Sequence, residues 1–355
     1  MRLQRQTVVP ALVLAGALAL VSCGVLSPSG RSTWSRTNLP SPPSASGSLL
    51  WSAVACSTAR ACLVGGTDNN NNNQVSVLEA TTNAGRTWTD RSDLLPASMD
   101  GGIQSASCER QNCLFIAENQ TVTTTTIGRS EDAGRTWAVV PNPPSWAANS
   151  ISAELVGCSA STCLVYGDNA LSGLPPSGPA DQYHDLVETA NGGRTWTAIP
   201  VPGSIAVDQI ACIWSGQCWV LYEMPYSPLE EVATTLDAGS VWTKVGSLTL
   251  DPDHLVGFAC EDVRTCFILD DSNSLTESHD GGRTWHASQP PTDASGSTEL
   301  GTDAMTCTPR STCWIVSSET GSLWIGPSEG SGDALRSSGK LTSGASPDRI
   351  GPPLG

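Results

Sequence analysis

The sequence predicts an all-β fold, a six-bladed β-propeller whose blades are sheets of four antiparallel strands. After the N-terminal segment, short runs rich in apolar and β-branched residues alternate with Gly, Pro, Asn and Ser, a pattern typical of strands and turns. A pair of cysteines recurs six times and a turn motif ending in Trp recurs five times, at a spacing of about 50 residues. Four strands in a repeat of about this length are typical of one propeller blade, so the six cysteine pairs indicate six blades.

The chain begins with a segment, residues 1–22, that has the features of an export signal. Arg2 and Arg5 precede an apolar run at residues 8–20, which is too short to span a bilayer comfortably. The sequence Leu-Val-Ser-Cys at 20–23 then resembles a bacterial lipobox. This resemblance implies that Cys23 is lipidated and becomes the mature N-terminus. The alternative is an ordinary secretory signal in which Cys23 has no role.

The lipobox interpretation predicts a lipidated tether over residues 23–31 and a protein anchored outside the cytoplasm on the bacterial cell membrane. The number of cysteines favours it, because twelve of the thirteen form close pairs and Cys23 alone is left over.

The paired cysteines have four or five residues between their members, and an apolar run follows each pair. A disulfide that closes a hairpin between the first and second strands of each blade explains this pattern. Zinc would require tighter C-x-x-C spacing and four ligands at each site, and the four histidines do not recur with the pairs. Because an exported protein is oxidised, we predict six disulfides, no metal and no cofactor. The predicted pairs are Cys56 with Cys62, Cys108 with Cys113, Cys158 with Cys163, Cys212 with Cys218, Cys260 with Cys266, and Cys307 with Cys313.

The second repeated feature is the pattern S/T-x-D/N-x-G-x-T-W, which starts at Thr81, Ser130, Thr189, Thr235 and Ser278. It predicts a turn between the third and fourth strands. The Asp or Asn side chain and the hydroxyl accept hydrogen bonds from backbone N–H groups, and the glycine permits positive φ. The Trp opens the fourth strand and buries its ring between neighbouring elements. Val241 replaces the motif Thr in the fourth copy.

These five copies resemble the Asp-box, or BNR repeat, of sialidase-like β-propellers, which also occurs in photosystem assembly factors and in the larger sortilin ring. In those families the Asp-boxes are structural and lie away from the active site. The resemblance therefore implies the fold strongly and the function hardly at all.

The sixth repeat lacks its Asp-box, and the missing piece lies at the start of the chain. Residues 30–40, which contain Trp34, resemble residues 193–200 of the third repeat, whereas nothing comparable follows residues 321–325. We therefore predict one ring over residues 32–326, closed by an N-terminal strand that completes the last blade. The Gly, Ser and Pro-rich residues 327–355 predict a disordered tail.

The composition limits the partners of such a ring. A formal net charge of −16 repels nucleic acid and anionic lipid surfaces, so we expect no nucleic-acid partner and membrane contact through the lipid anchor alone. A protein or glycan of the cell envelope, or a cationic ligand, suits this charge better.

The predicted strand order places the cysteine turns and the Asp-box turns together on one face, and the other loops on the opposite face. Those other loops vary widely, as expected of a binding surface. The long or polar ones are residues 68–74, residues 169–185, and the blade-four stretch that contains Tyr222, Met224, Tyr226, Glu230 and Glu231.

An acidic residue also follows the second strand of every blade, five or six positions after the second cysteine. These residues are Asp68, Glu118, Asp168, Glu223, Asp271 and Glu319. They predict a ring of carboxylates at the channel mouth that could bind a ligand. The alternative is that they are ordinary polar turn residues.

Two function classes remain, a binding or assembly scaffold and a glycoside hydrolase that uses paired carboxylates. A true sialidase is disfavoured because it needs three clustered arginines to bind the substrate carboxylate. Eight arginines lie in the Asp-boxes or cysteine turns, on the other face: Arg86, Arg135, Arg194, Arg283, Arg60, Arg110, Arg264 and Arg310. No phosphate-binding loop is present. We therefore favour a non-enzymatic scaffold.

Overall fold

The repeats fold into six four-stranded antiparallel sheets, as predicted, in a computed structural model of the chain. The structure describes residues 34–42, 45, 47–70, 73–118, 125–144, 146, 152–159, 162–168, 184–199, 206–224, 227, 229–249, 255–291, 302–308, 312–318 and 321–326. The predicted signal (1–22), tether (23–31) and tail (327–355) lie outside these residues, as does Glu319. No helix within the described ranges is long and apolar enough to cross a membrane.

Each blade runs in chain order from its first strand to its fourth. Blade one contains β2 (Ser48–Thr58), β3 (Ala61–Asn70), β4 (Asn73–Thr81) and β5 (Thr89–Asp90), and blade two contains β6 (Ile103–Glu109), β7 (Asn112–Ala117), β8 (Thr126–Ser130) and β9 (Ala138–Val140). Blade three contains β10 (Ser152–Ser159), β11 (Thr162–Asp168), β12 (His184–Thr189) and β13 (Thr197–Ile199), and blade four contains β14 (Val207–Cys212), β15 (Cys218–Glu223), β16 (Glu230–Thr235) and β17 (Thr243–Leu248). Blade five contains β18 (Leu255–Cys260), β19 (Cys266–Asp270), β20 (Leu275–Ser278) and β21 (His286–Ser288), and blade six contains β22 (Thr302–Thr308), β23 (Thr312–Ser317), β24 (Ser322–Gly326) and β1 (Ser35–Asn38). A short 3-10 helix, Ser92–Leu94, follows β5.

The first strands of the six blades line the centre of the ring. Each contacts the first strand of the next blade, and β22 contacts β2, so the circle is complete. The hydrophobic core is divided among six clusters, each shared by two adjacent blades. Between blades four and five, for example, Trp219 and Val232 pack with Phe258 and Ile268. Burial of apolar surface therefore holds each blade to its neighbours.

The motif tryptophans contribute to these clusters between blades. Trp88, Trp137, Trp196, Trp242 and Trp285 each pack against one cluster, and Trp34 packs against the sixth, between blades five and six. The regular strand begins one residue after the Trp, as at Thr197, because the Trp backbone belongs to the turn.

The Asp-box turns have the predicted hydrogen bonds. In all five copies the Ser or Thr hydroxyl accepts a bond of 2.7–2.9 Å from the N–H of the motif glycine. The Asp or Asn side-chain oxygen accepts a bond of 2.8–2.9 Å from the N–H four residues later. Burial alone would raise the pKa of Asp132 and Asp280, but hydrogen bonds from the motif Thr, the motif Ser and a backbone N–H lower both pKa values to about 2.

The turn uses two consecutive residues with positive φ, where the sequence pattern indicates one. The residue before the motif glycine is Ala84, Ala133 or Ala238, with φ of 58–61°, or a second glycine. The motif glycine itself lies against the preceding blade, since a β-carbon on Gly134 would be 2.6 Å from Leu63 Cδ1. Glycine is therefore needed there both for its backbone conformation and for close packing.

The ring is closed by the N-terminal strand, as predicted. β1 pairs antiparallel with β24, with Ser35 opposite Ile325 and Asn38 opposite Ser322. The position that holds a Ser or Thr in the other blades is Gly326 in blade six. A β-carbon there would lie 2.3 Å from the ring of Trp34, so glycine makes room for the closing tryptophan.

All six predicted disulfides are present, and each joins two cysteines directly opposite each other on the first and second strands of one blade. A chain with this many disulfides belongs outside the reducing cytoplasm.

Candidate functional site: the loop face and the channel mouth

The two faces of the ring are built differently. On one face lie the six disulfide-closed turns and the five Asp-box turns, and we call this the disulfide face. The opposite face carries the loops that join second to third strands and one blade to the next, and we call this the loop face. Antiparallel pairing places the ends of all six second strands on the loop face.

The predicted carboxylate positions lie at this edge, but in different environments. Asp68 lies within β3 and is 4% exposed, and its Oδ1 accepts a 2.9 Å hydrogen bond from the N–H of Gly47. Glu118 follows β7, and its Oε1 accepts a 2.5 Å bond from the amide of Gln104. Both side chains therefore make local hydrogen bonds within their own blades.

The other predicted acids also end or follow second strands. Asp168 is the last residue of β11, Glu223 is the last residue of β15, and Asp271 lies in the turn after β19. Among the acids of the predicted carboxylate ring whose side chains the structure describes, Glu223 alone belongs to a carboxylate cluster.

That cluster combines three strands of blade four. Asp208 on β14, Glu223 on β15 and Glu230 on β16 each offer a carboxylate oxygen, and these oxygens all lie within 4.8 Å of one another. Glu223 and Glu230 are directly opposite each other across the strand pair. Glu230 is 2% exposed, and its Oε2 has no hydrogen-bond partner among the described residues.

Burial and like charges together disfavour the ionised form of Glu230. Burial, and then the charges of Asp208, Glu223 and Glu231 together with a hydrogen bond to Asp208, raise its pKa from 4.5 to about 8. Next to this cluster, Glu231 forms an ion pair with Lys244. Burial, and then the charge of Glu231, raise the pKa of Tyr222.

Asp208 was missed at the level of sequence because a β-bulge determines its position. In every first strand the pairing register shifts by one residue at the same point, and the extra residue lies near the channel mouth. These residues are Ser52, Gln104, Glu154, Asp208, Val256 and Asp303. Five of the six are polar residues within the first strand, which is a partial sequence signal, and Val256 is the exception.

The bulges surround a narrow cavity on the ring axis. It has a volume of about 120 Å³ and is lined by residues of all six first strands, among them Ser52, Gln104, Glu154 and Val256. A cavity of this size admits water or an ion, whereas ligand pockets of drug size are several hundred Å³. The axial cavity is therefore too small for a ligand of drug size.

The described arginines outside the turns are separated from one another. Arg36 stacks on Trp324 in blade six at 5.4 Å, and Arg91 donates to the carbonyls of Ala133 and Gly134. Arg129 pairs with Glu131. Within the ranges that the structure covers, these three arginines therefore have separate partners.

No protein-family model matches the sequence, and no curated protein matches it. Among solved structures, the chain is similar to the Hadza microbial sialidase Hz136, with a TM-score of 0.54, 14% identity, and coverage of 79% of this chain and 66% of that one. It is also similar to YCF48 bound to D1 peptide, with a TM-score of 0.48, 14% identity, and coverage of 83% and 97%. The GH74 enzyme of Niastella koreensis gives a TM-score of 0.42 at 14% identity, with coverage of 78% and 36%. At such identities the likeness concerns the fold, and the chain is a six-bladed β-propeller with Asp-box turns.

Proposed function

We propose that the protein is a ligand-binding or assembly propeller of the cell envelope, held at the membrane by a lipidated Cys23, and that it binds a protein or glycan partner on the loop face. The observation that carries the proposal is the difference between the two faces. Disulfides and Asp-boxes account for the disulfide face by structural chemistry alone. Variation in loop length and unequal carboxylate environments are concentrated on the loop face.

The first experiment identifies the partner and then locates its binding site. Purified protein captures partners from cell-envelope proteins and from a glycan array, and each partner is retested with two variants. One replaces Glu118, Asp168, Glu223 and Asp271 by their amides, which preserves size. The other replaces Asp132 and Asp280 on the disulfide face by Ala.

The amide variant is expected to lose binding while it remains folded, because it removes four charges from the loop face. The Ala variant is expected to lose thermal stability while its folded fraction still binds. Normal binding by the amide variant would place the ligand site elsewhere.

The anchor is tested separately through Cys23, which lies outside the described residues. The lipobox-like sequence at 20–23 and the absence of a pairing partner for this cysteine in the six-pair pattern support lipidation. Cys23→Ser is expected to move the protein from the membrane fraction to the soluble fraction. Recovery of the wild-type protein in the soluble fraction would contradict the proposal.

A glycoside hydrolase is the second candidate, and the blade-four cluster is the observation that favours it. Its carboxylates are close to the separation of about 5–5.5 Å used by retaining enzymes, and the raised pKa of Glu230 suits a general acid. Against this, Glu230 is 2% exposed and its carboxyl is therefore shielded from a substrate. A screen with neutral glycosides should show no turnover by the wild type, and turnover that Glu223→Gln abolishes would establish the enzyme instead.

A further inference from the structure

We infer that Asp208, Glu223 and Glu230 form a calcium-binding site in blade four, at the loop-face end of its first three strands. This inference does not depend on which partner the loop face binds. It rests on the placement of three carboxylates, on a buried oxygen without a partner, and on a comparison with the equivalent positions of other blades.

The first argument is geometric. The three ligand oxygens lie within 4.8 Å of one another. Calcium binds oxygen at 2.3–2.6 Å, so two oxygens on opposite sides of one ion are about 5 Å apart and neighbouring ones are closer. One ion can therefore contact all three carboxylates with small side-chain movements.

The second argument is the environment of Glu230. Its carboxyl is almost fully buried, and its Oε2 lacks a hydrogen-bond partner among the described residues. The charged groups that act on it are the carboxylates Asp208, Glu223 and Glu231, and Glu231 already has Lys244 as its partner. Without a cation, Glu230 avoids this repulsion by holding a proton and bonding to Asp208, whereas a bound cation would compensate the burial of all three carboxylates in their ionised form.

The third argument comes from the repeat itself. The residues equivalent to Glu230 are Ser76 in blade one and Thr125 in blade two. Their hydroxyls accept hydrogen bonds of 3.0 Å and 2.6 Å from the N–H groups of Gly102 and Ala153 in the next blade. A hydroxyl therefore suffices for the structural role, and the carboxylate of Glu230 adds a charge that the fold does not require.

The chemistry of the three ligands selects the ion. A set made entirely of carboxylates suits a hard cation such as calcium, magnesium or manganese rather than zinc or copper. Calcium tolerates irregular geometry, whereas magnesium demands a near-ideal octahedron at 2.0–2.1 Å. Extracellular calcium sites typically have dissociation constants of about 0.1–1 mM, which matches a site with three protein carboxylates and water outside the cytoplasm.

The test uses purified full-length protein that has been treated with EDTA and desalted. Calcium binding is measured by equilibrium dialysis with radioactive calcium, and thermal unfolding is followed with and without about 10 mM CaCl₂. We expect one calcium per chain and a melting temperature that rises by several degrees. Glu230→Gln should weaken binding at least tenfold and remove most of the rise.

The control is Glu118→Gln, which changes the same residue type at the position of blade two that corresponds to Glu223 in blade four. It should leave the calcium response unchanged, because Glu118 bonds to Gln104 and has no carboxylate opposite it. If Glu230→Gln does not fold, Asp208→Asn makes the same test from β14. Wild-type protein that binds no calcium, an equal response in Glu118→Gln and Glu230→Gln, or an equal response to magnesium would overturn the assignment.

Discussion

Both oxygens of the Asp280 carboxylate accept hydrogen bonds that stabilise the Asp-box turn. Its Oδ1 accepts bonds from Ser278 Oγ, Arg283 N and Thr284 N at 2.9–3.0 Å, and its Oδ2 accepts a 2.6 Å bond from Thr284 Oγ1. Asp280→Ala should lower the free energy of unfolding by about 1–3 kcal/mol, because a charged acceptor is lost and several donors are left unpaired. Urea denaturation at neutral pH measures the loss.

The fourth Asp-box provides the control for this prediction. Val241 stands where the others have Thr, so Asp237 accepts bonds from Thr235 Oγ1 and Val241 N but receives no hydroxyl from position 241. Asp237→Ala should therefore cost less than Asp280→Ala. Since the folded pKa of Asp280 is about 2, below the 3.8 of an unperturbed aspartate, its contribution is present above pH 4 and should disappear as pH falls towards 2. Equal losses in the two variants would contradict this account of the motif.

For Glu79 on β4 we predict the opposite pH dependence of stability. It is 2% exposed, its Oε2 lacks a partner among the described residues, and it lies opposite Asp90. Burial, and then the charge of Asp90, raise its pKa from 4.5 to about 7. The protonated form is therefore favoured by folding, so this group supports stability below pH 4.5 and loses that contribution as pH rises to 7.

Glu79→Gln should leave the free energy of unfolding nearly unchanged below pH 4.5 and should raise it by about 1–3 kcal/mol above pH 7. One pKa unit corresponds to about 1.4 kcal/mol, and solvent near the site reduces the effect. Melting temperatures between pH 4 and 8 measure this. Asp93→Asn removes the same charge from an exposed side chain and should leave the pH profile unchanged. A Glu79→Gln profile parallel to that of the wild type would show that folding does not shift the pKa of Glu79.

The role of a single residue could be predicted from the sequence where the same residue type recurs at the same position of several repeats. The Ser or Thr, Asp or Asn, and Gly of the Asp-box could be assigned hydrogen bonds because five copies share one turn. Asp68 lies six residues after its second cysteine, close to the spacing of the other acids, yet it is buried because β3 continues to Asn70 in this blade. Asp208 could not be recognised, because strand pairing creates its bulge and the sequence does not display pairing.

At the scale of the element, β1 completes the sheet of blade six. It provides the fourth strand of blade six, and Leu39 N–H extends the contact by bonding to the carbonyl of Gly321 at 2.8 Å. A chain that begins at residue 40 should be less stable by about 3–5 kcal/mol than one that begins at residue 32, since a large Trp and a strand of hydrogen bonds are lost. Differential scanning calorimetry of the two chains measures this.

Trp34→Ala separates the ring of the tryptophan from the strand itself. It should account for much of the loss, because Trp34 fills the space that Gly326 leaves open. If the chains that begin at residues 32 and 40 melt at the same temperature, β1 does not contribute to closure in solution.

The strands were predictable as elements because each repeat marks its own turns. Cysteines identify the first turn and the Asp-box identifies the last, so the strand order and the two faces follow from the sequence. The bounds were less certain where no marker exists. The mostly apolar residues 75–80 mark the centre of β4. The strand begins two residues earlier and ends one residue later, because its hairpin with β3 continues through polar residues.

At the scale of the whole molecule, adjacent blades depend on each other through the motif glycines. A β-carbon on Gly239 would lie 2.3 Å from Ile199 Cδ1 of blade three, at a φ of +94°. Gly216 has a similar φ of +98° but nothing within 4 Å. Gly239→Ala should lower the free energy of unfolding by about 2–4 kcal/mol, because it combines a clash between blades with backbone strain. Gly216→Ala should lower it by about 1 kcal/mol, because it causes backbone strain alone. Thermal denaturation compares them, and equal costs would mean that the blades adjust to each other freely.

The disulfides have a mechanical consequence for this ring. Each of the six closes a hairpin within one blade, so no covalent bond other than the chain itself joins one blade to the next. A pulling force applied to the chain before Trp34 acts first on β1, which is four residues long and faces β24 alone. The weakest point under tension is therefore the closing strand. Once that strand has been pulled away, the blades would separate one after another, because each disulfide joins only the first and second strands of its own blade.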